Sequence, residues 1–174
     1  KKMPKIWSHE KDDPYTFKSN KDLFKIIDQY IINHLETPVD ILDIGAGYAW
    51  IDGWLQEKYD SNLYLLDGDS SKNNSSQQRD GGYGESNSFQ FYREKCDLIK
   101  AYDERGLRYN FIDSQNLQIP PICFSLIISL TSCGFHYPLS TYSELIKKHS
   151  GGKTSVIIDL RAASAEQQLR ETGF

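Results

Sequence analysis

Apolar residues from Ser19 onward recur at intervals of three and four: Leu23, Phe24, Ile27, Tyr30, Ile31 and Leu35. That period predicts an amphipathic helix, with Ser19 or Asn20 as its cap. After Thr37 and Pro38 the pattern changes to a near-continuous apolar run, Val39 to Ile44, which suits a parallel strand covered on both faces. Residues 48 to 58 return to the helical period, and Leu63 to Leu66 form a second strand ending in Asp67. The alternation continues with a helix over Phe89 to Arg105, strands at Leu107 to Ile112 and Phe124 to Leu130, a helix over Ser140 to Lys148, a strand at Ser155 to Leu160, and helical propensity over Ala162 to Arg170. Strands alternating with helices at this spacing imply right-handed crossovers and a doubly wound, mostly parallel α/β sheet.

Two stretches break the pattern. Residues 1 to 18 are polar, carry Pro4, Pro14, Trp7, Tyr15 and Phe17, and read as an irregular N-terminal arm rather than a helix, whose aromatic residues either close over the ligand as a lid or, the reading preferred, serve as a tether. Residues 68 to 88 are rich in Gly, Ser and Asn and read as a mobile insertion near the site. The remaining chain, 19 to 174, is expected to fold as one domain.

Length agrees with that count, because 174 residues bury one core and leave little for a second. With 39% apolar and 25% charged residues and a net charge of -4, the composition is that of a globular protein, and no basic field argues for nucleic acid. The three cysteines, Cys96, Cys123 and Cys133, are too few and too widely spaced for a disulfide framework. A reducing, cytoplasmic setting is the expectation. No apolar run approaches the roughly 18 residues of a membrane span, and the polar start has no signal-peptide core. Nothing near His9, His34 or His149 suggests a metal site, and these read as surface residues. Cys96 and Cys123 read as small core residues, and Cys133 as partly exposed. Trp50 and Trp54, four apart on one helix, read as a packed stripe. The oligomeric state is left open.

In such a sheet, ligands bind outside the carboxyl ends of the strands, where strand order reverses. The chemistry-bearing residues fall there. Asp43, Gly45, Ala46 and Gly47 close the first strand, and the glycines allow a sharp turn and a close backbone approach to a ligand. Asp67 closes the second strand, roughly 20 residues on, where a carboxylate can accept both hydroxyl hydrogens of a ribose. Asp113 and Ser114 close the third, and Ser129 to His136 follow the fourth. A dinucleotide fingerprint wants a small residue where Trp50 stands, so that a helix N-terminus can close on a pyrophosphate. A carboxylate at Asp43 also suits a cationic amino-acid moiety better than a diphosphate. Charge therefore favours a sulfonium nucleoside.

The ordered set Asp43-Ile44-Gly45-Ala46-Gly47, Asp67 and Asp113-Ser114 resembles the class I S-adenosylmethionine-dependent methyltransferases over roughly residues 20 to 160. The resemblance implies a Rossmann-like fold with S-adenosylmethionine as cofactor. It implies that the loop 45 to 47 lies beneath the methionine moiety, that Asp67 holds the ribose hydroxyls, and that Asp113 and Ser114 flank the adenine; Ser129, after the fourth strand, is the further cofactor-binding residue expected. Two departures stand out. Position 49 is Ala where many members carry a third glycine, and the sheet is expected to lack the last two of the usual seven strands, which leaves an edge beside the fifth that needs cover.

The segment SLTSCGFHYP lacks the N-P-P-Y motif of base-amine methylation, and Cys133 lacks the preceding proline of cytosine-C5 enzymes. The run GGYGESNSFQFY together with GFHYP is similar to a sugar O-methyltransferase subgroup. The expected reaction is methyl transfer to a small-molecule oxygen acceptor such as a sugar hydroxyl, with His136 as the proton acceptor. The competing reading of His136 is a structural histidine beside Tyr137 and Pro138. A methyltransferase-like binding domain without catalysis is the second reading of the chain, and an NAD-dependent reductase the third.

Overall fold

In a computed structural model, residues 14–37, 39–46, 49–67, 102–114, 116–130, 132–133, 139–158 and 163–172 are described. The elements are α1 (Pro14–His34), β1 (Asp40–Ile44), α2 (Trp50–Tyr59), β2 (Asn62–Asp67), β3 (Tyr109–Asp113), β4 (Leu126–Ser129), α3 (Ser140–His149), β5 (Ser155–Ile158) and α4 (Ala163–Thr172). Residues 102–105 are helical as well and stop at Gly106, whose φ is +64°. The five strands form one sheet in the order β3-β2-β1-β4-β5, with every neighbouring pair parallel. The doubly wound α/β expectation holds.

Strand parity divides the interior into two cores. Ile41 of β1, Leu63 and Leu65 of β2, and Leu126 and Ile128 of β4 face a layer made with Ile27 and Ile31 of α1, Ile51 and Leu55 of α2, and Tyr102. Leu42, Ile44, Leu66, Ile112 and Ile127 point the other way, against Phe124 and Ile146 of α3. Successive strand residues alternate between faces, so Asp43 belongs to the same face as Ile41, the face that α2 covers. Its register partners are Leu65 on β2 and Ile128 on β4, both in that layer.

α1 begins at Pro14, ahead of the cap expected at Ser19. Proline suits a first helical turn, where its preset φ helps and its missing N–H is no loss. α1 meets α2 through an edge-on contact of Phe24 with Trp54, ring centroids 5.4 Å apart, and through Asp28, which accepts from Lys58 at 2.6 Å and from the Tyr59 hydroxyl at 2.5 Å. Trp50 and Trp54 form the packed stripe that their spacing predicts. The expected insertion at 68 to 88 and most of the helix from Phe89 lie outside the described residues.

Gln56, buried near the end of α2, fixes how that helix meets the sheet. Its amide donates to the carbonyls of Ser61, at 2.9 Å, and Arg108, and its oxygen accepts the Arg108 N–H at 2.5 Å. One side chain thus ties α2 to the approaches of β2 and β3. Replacing it leaves the buried Ser61 carbonyl without this partner, at about 1–3 kcal/mol, and frees two part-buried backbone groups of Arg108 at a smaller cost. Gln56→Ala should lower unfolding free energy by about 2 kcal/mol or more in a urea titration; a loss within about 0.5 kcal/mol would show that solvent replaces those bonds.

Candidate functional site

At the carboxyl end of β1 the chain turns through Gly45, whose φ is +79°. The Gly45 and Ala46 N–H groups both donate to the Leu66 carbonyl, at 2.8 and 3.2 Å, which folds the turn over the end of β2. A Cβ at Gly45 would lie 2.0 Å from Ser132 Oγ and 2.3 Å from its Cβ, so both conformation and space require glycine. Gly47 lies outside the described residues.

The neighbouring strand ends are joined in the same way. The Ser114 N–H donates to the Asp67 carbonyl at 2.9 Å, and Asp67 and Asp113 are register partners. Ser129, wholly buried, donates through its hydroxyl to the Ile44 carbonyl at 2.8 Å and accepts the Cys133 N–H at 2.9 Å. Its side chain is spent on holding β4 and the following segment against β1. Asp43, Gly45, Ala46, Asp67, Asp113, Ser114 and Ser129 therefore converge on the carboxyl ends of β1 to β4. His136 lies outside the described residues, as do Tyr137 and Pro138.

Ala49, the departure from a third glycine, adopts the left-handed conformation that glycine favours, with φ +47° and ψ +39°. An L residue there costs about 1–2 kcal/mol. The cost is met locally: the methyl is buried, the Ala49 carbonyl accepts from the Tyr102 hydroxyl at 2.5 Å, and its N–H donates to the Ala46 carbonyl at 2.8 Å.

Beneath the turn two carboxyl groups meet. Asp43 is 4% exposed and Asp52, in the first turn of α2, is 0% exposed. They interact directly, yet Asp43 Oδ1 and both Asp52 oxygens lack a partner in good hydrogen-bond geometry. Burial, then the Asp52 charge, raises Asp43 well above the usual carboxylate range, with Asp67 adding to the effect. Burial likewise pushes Asp52 up to about 6, against an opposing contribution from its bond to Asp43. The Tyr102 hydroxyl is raised as well, by burial first and by the two aspartates next. The sequence gives Asp52 little prominence, although a lone carboxylate in the apolar run WIDGWL is the signal that could have found it.

This arrangement bears on the ligand. A helix N-terminus ordinarily attracts anions, but at α2 two buried carboxyl groups oppose its field, and Trp50 packs into the core at its first position. A diphosphate is disfavoured there and a cation favoured. Among the described residues no group of three or more His, Cys, Asp or Glu is placed to hold a metal ion, and no helix is long and apolar enough to cross a membrane.

Three side chains outside the rim depart from expectation. Cys133 is wholly buried, drawn in by its N–H bond to Ser129, whereas Cys123 is exposed. His149 is buried rather than on the surface, because its Nδ1 pairs with the Ile122 carbonyl at 3.0 Å and its ring packs on Phe124.

No family model matches the chain, and neither does any curated protein. Solved structures do. A methyltransferase from Pyrococcus furiosus superimposes with a TM-score of 0.54 at 12% identity, over 86% of this chain and 70% of that one. Precorrin-6y C5,15-methyltransferase from Geobacter metallireducens gives 0.51 at 11% identity, over 79% and 62%. The plantazolicin methyltransferase BpumL, in complex with a monoazolic desmethylPZN analog and SAH, gives 0.53 at 21% identity, over 95% and 56%. The shared property is the Rossmann-like methyltransferase fold, and the chain spans 56 to 70% of the length of these neighbours.

Two tests follow from the geometry. Gly45→Ala should destabilise the fold by more than about 2 kcal/mol, and Ser132→Gly in that background should recover the part due to the clash, leaving about 1 kcal/mol of backbone strain. Failure of the second substitution to help would remove Ser132 from the contact. For Asp52, a carboxyl held at about 6 against 3.8 contributes stability that is fully present below about pH 4 and is lost as pH rises to about 6. The unfolding free energy of the parent should therefore fall across that window by on the order of 2–3 kcal/mol more than that of Asp52→Asn, in which only Asp43 of the pair still titrates. Equal pH profiles for the two proteins would contradict the assignment.

Proposed function

We propose that the rim at the ends of β1 to β4 binds S-adenosylmethionine and that the chain is the cofactor-binding part of a methyltransferase. The observation that carries the reading is the Gly45 turn above a buried, incompletely partnered Asp43, in a sheet of order 3-2-1-4-5. The turn, at φ +79° and packed against Ser132, keeps the backbone low over the strand end, and the carboxyl supplies an acceptor suited to an ammonium group. Structural neighbours that include an SAH complex support it.

In this reading Asp43 faces the amino-acid end of the cofactor across the Gly45-Ala46-Gly47 loop. Asp67 accepts the ribose hydroxyls, and Asp113 and Ser114 border the adenine. Ser129 positions the loop without touching the ligand, since its hydroxyl is already engaged. The sulfonium cofactor, when bound, supplies an activated methyl carbon. The protein's contribution to an in-line transfer is then positioning and exclusion of water. The acceptor we infer is an oxygen on a small molecule such as a sugar, with His136 taking the hydroxyl proton. The net charge of -4 gives no field for nucleic acid.

Calorimetric titration with S-adenosylmethionine and S-adenosylhomocysteine should show micromolar binding while NADH gives none, and Asp67→Ala should weaken the sulfur nucleosides by about 1.5–3 kcal/mol. Binding of NADH alone would replace the reading with a reductase. In turnover assays with hydroxylated acceptors, His136→Ala should lose methyl transfer with cofactor affinity unchanged. Full activity in that variant would exclude His136 as the base, and binding without turnover in the parent would identify a domain that holds the cofactor but does not transfer.

A further inference from the structure

We propose that Asp52 is a positioning residue for the cofactor: it shares one proton with Asp43 beneath the Gly45 turn, and a ligand ammonium arriving at Asp43 displaces that proton to solvent. The inference rests on the functional reading above and concerns how that site handles charge.

Strand parity turns Asp43 toward α2, and the first turn of α2 presents Asp52 to it. Two ionised carboxylates in contact in a dry layer repel strongly, so the pair is stable with one proton between them. The three oxygens without well-formed partners fit a pair whose missing element is that hydrogen.

Among the described residues, the other charged and titratable groups around the pair do not neutralise it. Asp67 on β2 adds negative charge. The Tyr102 hydroxyl is committed to the Ala49 carbonyl, and the Arg105 guanidinium is engaged by Glu57. On α1, Asp28 is bound to Lys58 and Tyr59 toward the far end of α2. From the β4 side come Ser129 and the Cys133 thiol, which lies 4.0 Å from the Leu139 carbonyl.

A cation at Asp43 changes the balance. Its charge favours the ionised form, the O–H bond of the shared carboxyl breaks, and the proton passes to buffer while the electron pair stays on Asp43. Binding and proton release are then linked, so affinity rises with pH. Asp52 sets the window: its negative charge keeps the proton on the pair at neutral pH, and removing that charge moves the release to lower pH.

The test is calorimetry of the whole chain with S-adenosylhomocysteine at about pH 6.5, in phosphate and in Tris, whose ionisation enthalpies differ. The expected release is roughly half to one proton per ligand, with affinity rising several-fold from about pH 6 to 7.5. 5′-Methylthioadenosine, which lacks the amino-acid arm, should bind with no proton released. In Asp52→Asn the release at about pH 6.5 should fall to less than half that of the parent, and Asp52→Ser serves if that variant does not fold. A purely structural role for Asp52 would shift affinity equally at all pH values and leave the proton count unchanged. No release in the parent, or equal release with methylthioadenosine, would overturn the inference while leaving cofactor binding intact. Absence of any S-adenosylhomocysteine binding would overturn the functional reading, and the inference with it.

Discussion

The structure depends on one constraint, the burial of an acid at the middle of its sheet. Asp43 occupies the central strand, faces the layer beneath α2, and is almost wholly excluded from solvent. A carboxylate there costs several kcal/mol unless it is paired or protonated. The fold answers with a second acid, Asp52, which makes a common proton favourable and full ionisation unfavourable. Such an arrangement is poor for stability and useful for a site, because the energy withheld from the carboxyl becomes available to a cation that can reach it.

The surrounding structure reads as the means of holding that acid under a thin roof. The Gly45 turn is pinned to the end of β2 by two N–H bonds and approached from the other side by Ser132. Ser129 locks the β4 segment to β1. Ala49 accepts a left-handed conformation so that α2 can start close to the strand end. Gln56, at the other end of α2, fixes the pitch of that helix over the sheet. These contacts lie on different elements and converge on the carboxyl ends of the strands.

Much of this was legible in the sequence, for physical reasons. The central strands β1 and β4 are legible because both faces are covered and the runs are nearly all apolar, and Gly45 and Asp67 are legible because strand ends are where a doubly wound sheet exposes its chemistry. The true start of α1 is not legible because the apolar period begins only at Leu23, whereas the helix itself starts at Pro14, which carries no periodic signal. Asp52 does not stand out in the sequence because a carboxylate in a first helical turn looks like ordinary dipole complementation, and only the parity of β1 reveals what it faces. Cys133 and His149 are buried for reasons that the apolar pattern does not carry: the Cys133 N–H folds back onto the buried Ser129 hydroxyl four residues earlier, and His149 pairs with the Ile122 carbonyl 27 residues away.

The central claim is that the ends of β1, β2 and β3 bind the cofactor, and residue-resolved binding tests it most directly. In an amide NMR titration with S-adenosylhomocysteine, the account predicts the largest shifts at Gly45, Ala46, Asp67 and Ser114, with little change at Thr154, Ile158 and Leu169, which line a separate groove beside β5. Shifts centred on that groove, with the Gly45 turn unmoved, would contradict it.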